Sequence, residues 1–364
     1  MKNSPVLSSV VLSFFVLFTY KVNAQNSFDS TSVKKEYRSL EEALKEPEKV
    51  YRLNLSNQNY KMPSDSVWMK FVNLEFLSLK NDHLKTLPTG VGSLKKLNVL
   101  DLSGNDFKVL PPSFSNLENL TELYLNDEKK IDFDKSVLTI SKLPNLRILQ
   151  LKNDHIKTSP SGLGNLKKLN VLDLSGNDFK VLPQSFSNLV NLTDLYLNND
   201  KNIDFDQSFL AISKLPNLTT LQLRNDHLKA LPPSLTNMKN LNVLDLSGNK
   251  FKVLPKSFSN LENLTELYLN EEKKIDFIKS LQTISSLPNL KILHLENDNL
   301  ESIPESILIL SNLEKLYLNN NKFKQTPIQI AGLKHLNYLD LHDNKYRLEN
   351  KNTQSYSDGI KINF

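Results

Sequence analysis

The stretch LNVLDLSGNDFKVLP occupies residues 97–111 and returns letter for letter at 169–183, with a third copy at 241–255 that differs only by Lys250. The opening leucines Leu97, Leu169 and Leu241 lie 72 residues apart, so the chain is built from a copied block. Each block holds three units of 23, 23 and 26 residues, and each unit opens on Leu-x-x-Leu-x-Leu. That alternation predicts a short strand with its leucines on one face. The remainder of the unit must return the chain to begin the next strand alongside, which makes the strands parallel. Phe107, Leu110, Phe114 and Leu117 line the inside of the return, and Pro111 ends the extended segment. One such unit cannot bury its apolar faces alone, so stability is shared between stacked neighbours.

Unit starts fall at Val50, Leu74, Leu97, Leu120, Leu146, Leu169, Leu192, Leu218, Leu241, Leu264, Leu290, Leu313 and Leu336. On these residues the chain resembles the leucine-rich repeat family, in its bacterial type with 23-residue repeats and interspersed 26-residue repeats. The resemblance implies an α/β solenoid. Its form would be a right-handed curved horseshoe with a parallel β-sheet on the concave face and short helices or turns on the convex face.

The first 24 residues predict a secretory signal: Lys2 gives a positive start, Val6–Tyr20 is mostly apolar, and Val22-Asn23-Ala24 has the small-residue pattern of a cleavage site. Residues 25–36 read as a disordered linker. Residues 37–49 read as an N-terminal helical cap, because Ser39-Leu40-Glu41-Glu42 is a capping box and Pro47 ends the turn. The solenoid spans 50–346, and 347–364 is a C-terminal cap or tail in which Gly359–Phe364 alternates like an edge strand. Cleavage removes Lys2 and Lys21, and the formal charge of +5 becomes +3, too mild for a dedicated nucleic-acid binder. With no cysteine, disulfides, thiolate metal sites and cysteine nucleophiles are excluded.

Function in such a scaffold lives on exposed strand positions. The column between the last two leucines contains Asp101, Tyr124, Asp173, Tyr196, Asp245, Tyr268 and Tyr317; the neighbouring column adds Glu122, Asp194 and Glu266. Tyrosine gives rigid contact area with a polar tip, and acids set register and partner charge. These ten residues are the candidate partner-binding set on the concave face. A second row after the strand, Lys108, Lys180 and Lys252 among others, would form a basic rim suited to a polyanion.

Catalytic signatures are absent: there is no Gly-x-Ser-x-Gly, phosphate-binding glycine loop or His-Glu-x-x-His. His83, His155 and His227 recur one block apart, too far for a shared metal. The family's Asn after the strand is kept at Asn105, Asn177, Asn249, Asn321 and Asn344, whereas Asp82, Glu128, Asp154, Asp200, Asp226, Glu272 or Asp298 stands there elsewhere. A carboxylate only accepts. The expectation is therefore of locally solvated acids, with Asn81, Asn153 and Asn225 taking over the ladder and calcium between acid pairs a minor alternative. The thrice-written loop LNDEKKIDF (125–133) should lengthen a turn that feeds a helix capped by Asp134, running through Val137, Leu138, Ile140 and Leu143.

The sequence thus predicts an exported, non-enzymatic protein, secreted, periplasmic or on the cell surface, that binds a protein or peptide through its concave face. No cofactor, metal or nucleic acid is expected, and no transmembrane domain in the mature chain. The alternatives are an envelope-associated polyanion- or glycan-binding module that uses the lysine rim, and a signalling adaptor by analogy of fold.

Overall fold

In the computed structural model the described residues are 34–59, 61–158, 161–345 and 360–364. The predicted export segment, residues 25–33 of the predicted linker, the last solenoid residue, 346, and residues 347–359 of the tail lie outside them. Fifteen strands form a single open sheet in strict chain order, each parallel to the next. The repeat strands are three residues long, such as Glu122–Tyr124, and the middle leucine of each, from Leu53 to Leu339, is fully buried. The result is a curved repeat solenoid with the sheet on its concave face.

The two 23-residue units of each block return as tight 3-10 segments, for example Pro112–Asn116 and Gln184–Asn188. Their phenylalanines Phe114, Phe186 and Phe258 are buried in the same core as Phe107, Phe179 and Phe251. The 26-residue unit instead carries an eight-residue helix: Phe133–Ile140, Phe205–Ile212 and Phe277–Ile284. Its N-cap is Asp132, not Asp134, because the Asp132 carboxylate accepts from Lys135 N at 3.1 Å while its own N–H donates to the Lys108 carbonyl at 2.7 Å. Asp134 sits in the first turn and accepts from the Thr158 hydroxyl at 2.8 Å. Leu138 faces outward, 63% exposed, whereas Val137, Ile140 and Leu143 are buried. Buried serines stitch each helix to the previous unit, as when Leu182 N donates to Ser208 Oγ at 3.0 Å.

At the N-terminal end a strand, Glu36–Tyr37, pairs with Arg52–Leu53, and a single helical turn, Leu40–Ala43, follows with Ser39 accepting from Glu42 N. The cap is therefore a strand plus a helical turn shorter than the sequence suggests. At the other end Lys361–Asn363 adds a parallel edge strand to Tyr338–Asp340.

The acids after the strands are not solvated. Asp82, Glu128, Asp154, Asp200, Asp226, Glu272 and Asp298 are all buried, most of them below 5% exposed. They continue the ladder by accepting backbone N–H groups of the preceding turn: Asn105 N donates to Glu128 (2.7 Å), and Glu128 N donates to Asp154 (2.8 Å). Asp154 N donates in turn to the side chain of Asn177 (3.2 Å). The ladder asks the side chain for an acceptor toward the turn before it, and a carboxylate supplies one. Asn81, Asn153 and Asn225 do not take over; they adopt left-handed φ of 57–59° just before the ladder position. At that place the copied motif has glycine, and Gly176 (φ +73°) packs so closely that an added Cβ would lie 2.1 Å from Asn153 Oδ1.

Burial holds these acids above the usual carboxylate range, and the backbone N–H bonds only partly offset it: Glu128 and Glu272 reach about 7, and Asp154, Asp200, Asp226 and Asp298 about 8. The second oxygen of Glu128, Asp154, Asp200, Asp226 and Glu272 has no hydrogen-bond partner, which makes the ionised form the costly one. Among the described residues, no group of three or more His, Asp or Glu side chains is placed to share a metal ion.

Candidate binding face

Strand register joins the tyrosine column into one unbroken row: Asp101, Tyr124, Gln150, Asp173, Tyr196, Gln222, Asp245, Tyr268, His294, Tyr317, Asp340. Alternation about the buried leucines puts these side chains on the open side of the sheet. Tyr124, Tyr196 and Tyr268 therefore recur every three strands, about 14 Å apart at the usual parallel spacing. All three are half-buried between neighbouring strands, as are Tyr317, Glu122, Asp194 and Glu266.

Two of the tyrosine hydroxyls are held by acids of their own strands. Tyr124 donates to Glu122 Oε2 at 2.8 Å and Tyr268 to Glu266 Oε1 at 2.5 Å. Burial and those carboxylates raise both phenols above their ordinary range, so they remain neutral donors.

Asp173 and Asp245 differ from the expectation of exposed contacts. Both are buried, and each turns back to accept the backbone N–H two residues on, Ser175 N and Ser247 N, at 3.0 Å. Burial raises both carboxyls, and the cation of the preceding strand opposes it: Lys152 Nζ lies 3.8 Å from Asp173, and Arg224 Nε 3.5 Å from Asp245. These acids shape the strand end more than they present charge. Asp101 makes the same turn, with Ser103 N at 3.0 Å, but stays half-exposed near the start of the row.

Sequence reasoning missed the continuous aromatic strip in the third block. His294 stacks on Tyr268 (centroids 3.8 Å, 12° between planes) and on Tyr317 (4.2 Å, 6°), and Tyr338 follows at 5.3 Å, tilted. His294 Nε2 lies 3.3 Å from Glu266 and Nδ1 3.6 Å from Glu296. Burial pulls its pKa down, but the two carboxylates outweigh it, and the net displacement is upward. The signal was present in the sequence: His294 stands where the sister blocks have Gln150 and Gln222.

Lys108, Lys180 and Lys252 are exposed in a row beside the helices, and their carbonyls accept from Asp132, Asp204 and Asp276 N at 2.7–2.8 Å. Acids interrupt this rim. Asp106 pairs with Lys130 at 2.8 Å, and Asp178 and Asp204 line a shallow groove beside Lys157 and Lys180. His83, His155 and His227 each take a left-handed φ of 54–60° at the same place of successive blocks. No described helix is long and apolar enough to cross a membrane.

The model described as a leucine rich repeat matches residues 144–201, 216–273 and 288–345, and one described as a leucine-rich repeat region matches 49–138. No curated protein sequence matches the chain. Among solved structures, an internalin of Listeria monocytogenes is similar at 26% identity, with 88% of each chain covered and a TM-score of 0.63. A leucine-rich repeat protein of Leptospira interrogans shares the fold at 24% identity, with 91% of this chain and all of that one covered and a TM-score of 0.58. TLR13, solved in complex with ssRNA13, is 28% identical over 85% of this chain and 50% of its own, with a TM-score of 0.66.

Proposed function

Because the chain belongs to the leucine-rich repeat family, whose domains generally mediate protein–protein binding, we propose that it is an exported, non-enzymatic protein that takes a protein partner on its concave sheet face. The observation that carries this reading is the unbroken row in which Tyr124, Tyr196, Tyr268 and Tyr317 stand on a rigid sheet with carboxylates beside them. Rigid aromatic anchors with polar tips suit a protein surface, since they bury large area with little conformational freedom to lose. Export is supported by the positive start, apolar run and small-residue site within residues 1–24.

A polyanion on the lysine rim is the weaker reading, because Asp106, Asp178 and Asp204 break the positive row. RNA, which TLR13 holds in its complex, is disfavoured here by Glu122, Asp194 and Glu266, which share strands with Tyr124, Tyr196 and Tyr268.

The test uses the chain without residues 1–24 as bait against the surface and secreted proteins of its source, with partner affinity then measured. Tyr196→Ala with Tyr268→Ala should abolish binding and leave the melting temperature nearly unchanged. Unaltered affinity in the double variant would contradict the concave-face reading. Affinity that collapses with rising salt while the tyrosine variants bind normally would move the site to the rim.

A further inference from the structure

The third block departs from the other two at two positions of the sheet face. Blocks one and two end on Gln150 with Lys152 and Gln222 with Arg224, and each cation neutralises the aspartate of the next strand. Block three has His294 and Glu296 there, and the next strand brings Tyr317 in place of aspartate. A cation–carboxylate pair has been exchanged for a carboxylate and a phenol. What remains is a strip of parallel rings, Tyr268, His294 and Tyr317, with Glu266 and Glu296 on either side of the imidazole. His294 is more than nine-tenths buried, and its Nδ1 makes no hydrogen bond.

We propose that this strip seats one cationic side chain, arginine or lysine, from an extended segment of the partner protein, and that protonated His294 holds the charge of the seat while the partner is away. The proposal rests on the concave face being the partner face. The stacked rings cover one another's inner faces and form a flat wall, and the carboxylates of Glu266 and Glu296 beside it give an incoming guanidinium or ammonium group charge-assisted hydrogen bonds. The same sheet shows the interaction made internally: at its N-terminal end the Arg52 guanidinium lies 4.1 Å over the Phe76 ring and 3.6 Å from Glu36. Among the described residues the C-terminal strip has the rings and the acids but no arginine over them.

The other charged groups around His294 are accounted for. Asp245, one strand before Tyr268, is engaged by Arg224. Lys315, on the strand after His294, acts at a distance on Glu266. Asp340 lies beyond Tyr317 and pairs with His342 at 2.6 Å. Glu296 also accepts from Asn270 Nδ2. An imidazolium between Glu266 and Glu296 leaves little net negative charge for an incoming cation, and it repels that cation as well. Loss of the proton frees both carboxylates, so ligand and proton compete.

The experiment is an NMR titration of the chain with acetyl-Gly-Arg-Gly-Arg-Gly-amide, with the citrulline peptide as the uncharged control. The His294 ring and the backbone of Glu296 and Tyr317 are observed at pH 5.5 and pH 8. The arginine peptide should bind at least several-fold more tightly at the higher pH, with roughly tenfold as the limit for one proton released per unit of pH. It should also lower the apparent pKa of His294 itself. His294→Gln and Glu296→Lys install residues that sister blocks already carry, so both variants should fold. His294→Gln should keep binding and lose its pH dependence, whereas Glu296→Lys should lose binding about tenfold or more. Equal binding of the citrulline peptide, no binding at either pH, or affinity indifferent to Glu296→Lys would each overturn the proposal. If the arginine peptide or the captured partner fails only with Tyr196→Ala, the concave face stands and this seat does not.

Discussion

The first and third blocks share a core and differ in their faces. Leu123 and Leu267 are both fully buried, Asp132 and Asp276 both cap a helix, and Glu128 and Glu272 both accept from the turn before. On the sheet, however, Tyr124 is followed by Gln150, Lys152 and Asp173, while Tyr268 is followed by His294, Glu296 and Tyr317. The strand leucines were copied unchanged, and on the concave side Glu122 and Tyr124 recur as Glu266 and Tyr268, but Gln150, Lys152 and Asp173 do not recur. Packing demands nothing of His294 or Glu296, since glutamine and a cation serve the same places one and two blocks earlier. The divergence is what the proposed cation seat rests on.

The comparison breaks first if the cores are not equivalent. Leu123→Ala and Leu267→Ala should each cost about 2–5 kcal/mol, as a leucine deleted from a packed core does, and the two losses in thermal or urea unfolding should agree closely. A marked difference would show that the blocks are not interchangeable inside. Gly176→Ala and Gly248→Ala should cost about 1–3 kcal/mol each, because both glycines have φ near +70° and abut an asparagine oxygen, Asn153 Oδ1 or Asn225 Oδ1. Wild-type stability in either variant would remove the close approach from the account.

The buried ladder acids sharpen the comparison through pH. Each is held above its unfolded value near 4, so its stabilising contribution is full below that pH and is lost as pH rises through about 7 for Glu128 and Glu272 and about 8 for Asp154 and Asp226. His294, also raised, acts in the same direction. The melting temperature should fall between pH 5 and pH 9 in every block, and Asp154→Asn or Asp226→Asn should flatten part of the slope. A melting temperature that climbs over this range would contradict the burial of the acids. The smallest effect is at the caps: Asp132→Ala and Asp276→Ala should each cost about 1 kcal/mol, measured by the same unfolding curves.

The solenoid was legible because its signal is redundant: twelve leucine triplets, and a thirteenth that opens on Val50, leave one way to stack in register. The tyrosine row was legible for the same reason, since strand alternation and the 72-residue period fix both face and neighbour. Details that depend on a single hydrogen bond were not. Asp132 and Asp134 are equally good caps on paper, and the Lys108 carbonyl decides between them. Whether an acid at the asparagine position sits in water or in the core depends on which backbone N–H groups point at it, and only the coiled turn before it settles that. Asp173 and Asp245 read as surface charge until their bonds to Ser175 and Ser247 turned them back. His294 was visible as a break in the repeat, and breaks in a copied pattern hold more information about recognition than the pattern does.

The most direct measurement gives the third block the face of the first. His294→Gln combined with Glu296→Lys is titrated with the captured partner at pH 8, beside wild type and beside Tyr196→Ala with Tyr268→Ala. The account predicts at least a tenfold loss of affinity in the His294/Glu296 variant, with a nearly unchanged melting temperature at pH 8, where the His294 contribution is already lost, and no measurable binding in the tyrosine variant. Partner affinity equal to wild type in both would contradict it.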